Sequence, residues 1–547
     1  MKHGFNLFKL LLGLLPFLAT VAQAQNRLEI LFAYGSEKEE WIKEATERFN
    51  RSNPKTPAGQ PLYVRHLPIG SGECMEGVLS GKIRAHLVSP ASAIFIKTAN
   101  AEYRARTGKD LVADTENLVL SPVVIAMWEP MAKAIGWGTK SVGWADILAL
   151  AKDKRGWAAL EMPQWGGFKL GHTHPEYSNS GLISLIAEVY AGAGKTAGLN
   201  LEDVLKPEVA EFLQSIESAI VHYGASTGFF GKKMFANGPA YLSATVLYEN
   251  MIIESHSGRY QLPFPVVAIY PKEGTFWSDH PAGVVNADWV TPEHRAGAQL
   301  YLKFLMSKPQ QERALTFGFR PGLVDLPLAA PIDTAHGVNP LEPKTTLEIP
   351  SAEVTQKIME LWRQHKKHSH VVLVMDTSGS MQEEKRMENS KRGALEMIRL
   401  LGDSDFFALL PFNNQVAWAM KSTALGPGRG RAAQTIGGMF PGGGTALYDA
   451  ILEAHQQLAA NANPEMISAI VVLTDGQDTS STHTLPELMA RIRFDSERNN
   501  TRIFTIGYGR GANKKVLQSI SDATQAKSYE GTNDNIEAVF KDISTFF

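Results

Sequence analysis

Cysteine is nearly absent from this 547-residue chain. Cys74 stands alone, so no intramolecular disulfide can form and the fold must hold by packing. An excess of one charge is missing too. Lys and Arg number 54 against 56 Asp and Glu, a net charge of −2. That excludes the global basic footprint of a nucleic-acid binder or of a protein drawn to an anionic membrane. After residue 24 no apolar run reads as a membrane span, which needs ~20 residues. The chain has no Walker-type loop, no His-Glu-x-x-His, no nucleophile elbow and no repeat at solenoid spacing. What remains is an ordinary globular composition, 44% hydrophobic and 20% charged. The chain is too long for one core, and length alone asks for roughly two to four domains.

The first residues read as an export signal. Lys2 and Lys9 supply a positive start, residues 10–18 an apolar stretch too short to span a bilayer, and Ala22-Gln23-Ala24 a small-residue cleavage site. Cleavage after Ala24 is expected, and no cysteine follows to carry a lipid. The mature product is then periplasmic or secreted, with no membrane span.

Two regions of strand–helix alternation follow. In the first, over 25–322, an apolar strand at 28–34 leads into a helix with Trp41, Ile42, Ala45 and Phe49 on one face. Further strands are expected at 62–66, 123–128 and 264–270, and helices at 181–192, 207–221 and 293–306. Such alternation predicts open α/β sheets with helices on both faces. Residues 323–367 form a different stretch, with Pro327, Pro331, Pro340, Pro343 and Pro350, then a helix to about His365 capped by Ser351. From 368 to 547 the alternation resumes.

The chemistry concentrates in this last region. Residues 371–375 are a continuous apolar run, as a central parallel strand requires. The run delivers Asp376-Thr377-Ser378-Gly379-Ser380 to its carboxyl end, the edge where open α/β sheets bind ligands. Gly442-Gly443-Gly444-Thr445 places a hydroxyl before a helix at 446–458, and a second buried-type strand at 467–474 ends in Asp475-Gly476. Carboxylate and hydroxyl oxygens without a soft ligand suit Mg²⁺ first, then Mn²⁺, and less readily Ca²⁺. Asp, Ser, Thr and Gly also serve as turn and cap residues, but three segments in this order and strand context favour a metal. Asp478 reads as a surface turn residue.

Asp376-x-Ser378-x-Ser380, Thr445 and Asp475 together resemble the metal-ion-dependent adhesion site of von Willebrand factor type A domains, with all five positions filled. The resemblance covers about 368–547 and implies a doubly wound, Rossmann-like fold. In that family the two serines and the threonine hold the ion directly or through water, and the two aspartates act largely through water. One position stays open for a carboxylate from a protein partner. No catalytic constellation accompanies these residues.

Over 25–322 several loops place a small polar residue at a helix start. Gly35-Ser36-Glu37-Lys38-Glu39 reads as a capping box, while Gly70-Ser71-Gly72 and Ser178-Asn179-Ser180-Gly181 precede helices. Each alone reads as capping; together their N–H groups and hydroxyls can also hold an anion. The region resembles a two-lobed bacterial extracellular solute-binding protein. The resemblance is carried by the opening strand and helix at 31–49, by His174-Pro175 and the loop after it, by Val246-Leu247-Tyr248-Glu249 and by Gly318-Phe319-Arg320-Pro321. It implies a ligand cleft at Ser36, Ser71, Ser180 and Tyr248, with lobe crossovers near Pro122 and Pro263 and a small anion or peptide as occupant. Tyr248 reads equally as a core aromatic.

His365, His368 and His370 are expected in a solvated linker, and the basic stretch 426–431 is too small for a nucleic-acid site. The sequence therefore describes an exported, non-enzymatic binding protein. Metal-dependent protein binding at the C-terminal domain is combined with solute or peptide binding in the cleft. The alternative is an adhesion or envelope assembly factor whose N-terminal fold is only a scaffold.

Overall fold

The first apolar run is a buried strand, Leu28–Gly35, and the amphipathic stretch after it is the helix Glu39–Arg51, with Trp41, Ile42, Ala45 and Phe49 inward. These belong to a computed structural model that describes residues 27–463, 465–493 and 501–547. The leader expected over 1–24 lies outside the described residues.

Two sheets make up the N-terminal region. In the first lobe Leu28–Gly35 lies between parallel strands Leu62–Ile69 and Leu87–Ser89, and Pro281–Val284 and Thr115–Asn117 complete the five-stranded order. The second lobe is built on the long strand Val119–Trp128. It pairs antiparallel with Ala244–Tyr248 and Val266–Ile269, and Leu170–Thr173 and Ile220–Gly224 extend the sheet in parallel. The chain enters the second lobe between Asn117 and Val119, just ahead of Pro122. The return differs from expectation. Because Val266–Ile269 pairs within the second sheet, the chain passes Pro263 without crossing and goes back only between Ser278 and Pro281.

The proline-rich stretch is not a free linker. Ile332, Val338 and Leu347 are buried, Leu347 N donates to Thr275 O, and Arg320 donates to the carbonyls of Asn339, Pro340 and Glu342. The helix Ala352–His365 begins at Ser351, whose hydroxyl accepts from Val354 N as expected, and it packs on Asn179–Ala193 and Pro207–Ser218. The solvated linker expected for the histidines gives way to a strand. His368–Asp376 starts earlier than its apolar run because its first residues pair with Met466–Thr474, and His370 is buried with its Nε2 2.7 Å from Ser422 Oγ.

The C-terminal sheet has six strands, in the order Met420–Ala424, Phe406–Phe412, His368–Asp376, Met466–Thr474, Arg502–Tyr508 and Ser528–Gly531. Only the first runs antiparallel, so the carboxyl ends of the other five share one edge. The opposite edge, with the amino ends, docks on the N-terminal region. Lys367 Nζ lies 3.5 Å from Ser218 O, Arg502 lies over the Tyr241 ring at 5.0 Å, and Ala526 O accepts from Lys233. Phe546 seals the contact: its carbonyl accepts from Tyr223 N, and its ring meets His222, Phe229 and Phe504. Buried apolar residues therefore run without a break from the second lobe into the C-terminal sheet. Lys541 adds a hold on the first lobe through Glu76 at 2.8 Å.

Candidate functional site

At the free edge, strand ends and loops gather the five residues expected as metal ligands. Asp376 closes its strand and is fully buried; Oδ1 accepts from Ser378 N (2.7 Å) and Oδ2 from Thr474 Oγ1 (2.5 Å). Gly379 N donates to Gly443 O and Gly442 N to Thr377 O, which binds the glycine-rich loop to the serine loop. Ser378 Oγ then lies 3.1 Å from Ser380 Oγ, which donates to Asp475 Oδ1 at 2.7 Å. Thr445 is held through Thr479, whose hydroxyl accepts from Thr445 N and whose own N donates to Thr445 O. The threonine hydroxyl stands beside Gly476, where an added Cβ would lie 3.5 Å from it. Burial above all, and then the neighbouring Asp475 charge, push the Asp376 carboxyl upward against the hydrogen bonds from Thr474 and Ser378.

Two crowded carboxylates flanked by three hydroxyls form an all-oxygen donor set short of positive charge. That fits a hard divalent cation held by Asp376, Ser378, Ser380, Thr445 and Asp475. Among the described residues no group of three or more His, Cys, Asp or Glu side chains gathers as a metal cluster. The hydroxyls are what such an ion would need here. Sequence reasoning missed Thr474 and Arg386. The first hides as a strand residue, and the second sits in the run Glu383-Glu384-Lys385-Arg386, which reads as solvated charge. In fact Arg386 Nη1 donates to Asp475 Oδ2 at 2.8 Å. Asp478 is more than a turn residue, since its Oδ1 accepts from Leu447 N and caps the helix Leu447–Ala460.

Ser71, Ser180 and Tyr248 are buried along the seam between the lobes, and Ser36 is half-buried there. Ser36 does not cap its helix. Its hydroxyl reaches across the seam and accepts from Gly228 N at 3.0 Å, and a short turn, Ser36–Lys38, precedes the helix instead. Ser71 Oγ accepts from Ala91 N, and Gly72 N, at the start of the helix Ser71–Leu79, donates across the seam to Tyr177 O. Ser180 Oγ shares hydrogen bonds with Thr173 and Thr227, while Tyr248 OH accepts from Asn179 Nδ2. The helix-start N–H groups at Gly72, Gly181 and Gly228 thus already have partners within the protein.

Below this layer lies a group that sequence reasoning missed. Lys38 is fully buried and donates to Glu37 Oε1 at 2.6 Å, with His280 Nδ1 3.0 Å from its Nζ. Burial would raise the Glu37 carboxyl, but Lys38 and His280 hold it down at about 2. Burial first, and Lys38 second, lower His280 to about 4. Asn179 Oδ1 and His280 Nε2 are buried without a hydrogen-bond partner. A groove of about 700 Å³ opens elsewhere, on the flank between 137–142, 268–272 and 334–345, and its Lys140 and Lys272 are both paired with Asp146.

Residues 30–320 match the bacterial extracellular solute-binding protein family, and residues 370–543 match the von Willebrand factor type A domain. The first match spans more than half of the chain. The chain belongs to the bacterial extracellular solute-binding proteins. A von Willebrand factor type A domain follows the solute-binding region. An uncharacterized protein of Mycobacterium tuberculosis is 21% identical over 491 residues, which is 83% of this chain and 66% of the relative. This solute-binding protein therefore spans just under two thirds of the length of the curated relatives it matches first. Inter-alpha-trypsin inhibitor heavy chain H4 of Sus scrofa is 26% identical over 155 residues, 27% of this chain and 16% of that protein. Among solved structures, a periplasmic thiamin binding protein is 12% identical, covers 62% of this chain and 96% of its own, and has a TM-score of 0.45. A von Willebrand factor type A structure from Catenulispora acidiphila is 24% identical over 33% of this chain and 42% of its own, with a TM-score of 0.29. Among the described residues no helix is long and apolar enough to cross a membrane.

Proposed function

We propose that this is an exported, non-enzymatic binding protein that grips an acidic side chain of a protein partner through a divalent cation at its C-terminal edge. The observation that carries this reading is the convergence of Asp376, Ser378, Ser380 and Asp475 from separate loops into one hydrogen-bonded chain at an edge facing away from the lobes. A bound Mg²⁺ or Mn²⁺ would supply an electrophilic coordination position for the partner's carboxylate. The chain's own groups hold that position in place: Thr474 and Ser378 N fix the Asp376 carboxylate, and the Gly379–Gly443 bond fixes the serine loop. The leader-like sequence of residues 1–24, with Lys2, Lys9 and Ala22-Gln23-Ala24, supports placement in the periplasm or outside the cell.

The test is thermal-shift and calorimetric titration of the full chain with Mg²⁺, Mn²⁺ and Ca²⁺, on wild type and Asp376→Ala. Stabilisation that the substitution abolishes supports the reading; the same metal response in both proteins refutes it.

A second reading, solute or peptide binding between the lobes, is favoured by the unpartnered buried Asn179 Oδ1 and His280 Nε2. Against it stand the seam hydroxyls and helix-start N–H groups, already bonded across and within the lobes. The balance favours the N-terminal region as a platform. Oxyanions and short peptides that leave the melting temperature of the full chain unchanged would confirm that balance; a saturable shift would reverse it.

A further inference from the structure

Arg386 is the one cation in contact with the acidic pair of the C-terminal edge among the described residues. Two features aim it there. Glu384 and Lys385, just before it, both adopt left-handed backbone (φ 49° and 59°), which breaks the short turn Gly379–Lys385 and starts the helix Arg386–Leu400 at the edge. The side chain then lies against Gly509, where an added Cβ would sit 3.5 Å from Nε, at the end of the neighbouring strand. Its side chain is 10% exposed and that of Asp475 fully buried, so their 2.8 Å ion pair is little screened by solvent. On the outer side Glu383 and Glu384 each reach Nη2 at 3.3 Å, and these two carboxylates are 67% and 69% exposed. The guanidinium therefore lies between a buried acceptor and a pair of solvated ones.

We propose that Arg386 sets the affinity of the metal edge, competing as a tethered cation with a divalent ion for Asp475 and leaving the loaded edge with surplus positive charge. The inference rests on the metal reading above and goes further in naming the residue that tunes it. The charge arithmetic is simple. Among the buried groups Asp376 and Asp475 contribute two negative charges and Arg386 one positive, so a divalent ion brings that set to plus one; the exposed Glu383 and Glu384 are screened by solvent and offset it only in part. Without Arg386 the loaded edge would be neutral. The first charge in excess repels the metal by Coulomb's law and attracts the partner's carboxylate. Arg386 thus trades metal affinity for readiness to bind an acidic side chain, and Glu383 and Glu384 give it somewhere to lean when Asp475 turns to the ion.

The experiment is calorimetric titration of the full chain with MnCl₂ and MgCl₂, on wild type, Arg386→Gln, Arg386→Lys and Asp376→Ala. Arg386→Gln should bind metal roughly tenfold more tightly than wild type, and Arg386→Lys within about threefold of it. A purely structural ion pair would instead lower the melting temperature of Arg386→Gln and leave its metal affinity unchanged or weaker. Either of those affinities overturns the inference. Lys binding as tightly as Gln overturns it too, because charge would then not be the cause. Should Gln fail to fold, Arg386→Met, an unbranched side chain without the charge, is read the same way. Metal bound equally by wild type and Asp376→Ala, or by none of the four, brings down the metal reading itself. Metal bound by wild type and lost in Asp376→Ala, with no change in Arg386→Gln, brings down this inference alone.

Discussion

The interlobe seam and the proposed metal edge draw on the same materials and use them in opposite ways. Both place serine and threonine hydroxyls at strand ends and helix starts. In the seam each hydroxyl is spent on a protein group: Ser36 on Gly228 N, Ser71 on Ala91 N, and Ser180 on Thr173 and Thr227. At the edge Ser378, Ser380 and Asp475 lean on one another, with two carboxylates close together and a single arginine against them. A satisfied polar layer closes a structure; a crowded, negatively biased one recruits a ligand. The same residue types can be a lock or a socket, and what separates them is whether opposite partners are built in.

The largest expected break in this comparison comes from Asp376→Ala. It should abolish the metal-dependent rise in melting temperature, an affinity loss of at least about 100-fold, or about 3 kcal/mol. Ser36→Ala should leave that rise intact. Next come two glycines. A Cβ at Gly72 would meet Glu176 O at 2.3 Å, so Gly72→Ala must push the lobes apart, at a cost of about 2–3 kcal/mol in denaturant unfolding. At Gly379, in the metal loop, the nearest atom would be 3.6 Å away, and Gly379→Ala should cost under about 0.5 kcal/mol. If the two variants cost the same, the seam is not the tight side of the comparison. Ser36→Ala itself leaves Gly228 N–H without its acceptor and should destabilise by about 1–2 kcal/mol, with no shift in metal affinity.

The smallest effect is a pH slope. Burial first, and Asp542 of the C-terminal domain second, raise Glu73 on the first lobe from 4.5 to about 7. Between those values the folded protein keeps a proton that the unfolded chain has lost. Stability therefore falls as pH rises through that window, and the penalty is complete above about 7. Glu73 remains half-exposed by area, so screening cuts the effect to about 1 kcal/mol. Glu73→Gln should match wild type near pH 4 and exceed it by that amount at pH 8 in chemical unfolding. A difference that does not change with pH would show that the Glu73 carboxyl is not raised in the folded protein.

Local order was legible wherever a single element carried its own signal. The apolar runs became His368–Asp376 and Met466–Thr474, Ser351 capped its helix, and the two aspartates emerged on one edge. Those features follow from periodicity and strand polarity, which any one segment records. What escaped depended on a partner far away in sequence. Ser36 and Glu39 have capping-box spacing, yet Gly228, 192 residues on, takes the serine hydroxyl. Glu37 and Lys38 look like helix-start surface charges and lie at the bottom of the seam, because His280 approaches from the returning crossover. Arg386 is the same case in the C-terminal domain, where a turn of left-handed backbone converts a surface charge into a neighbour of Asp475. The burial within 323–350 was not legible for a related reason: proline content marks the absence of regular structure, and says nothing of burial.

The docking of the C-terminal sheet by its amino-terminal edge also has a mechanical side. The anchored end of the sheet rests on the second lobe through Lys367, Arg502 and Phe546, and Asp376 and Asp475 lie toward the far ends of the strands. A load applied at Asp376 or Asp475 therefore runs along His368–Asp376 and Met466–Thr474, which pair in parallel over eight positions. Tension in that direction shears a whole ladder of hydrogen bonds at once, where a load across the strands would open them one by one. A tether built this way would hold hardest along the strand direction.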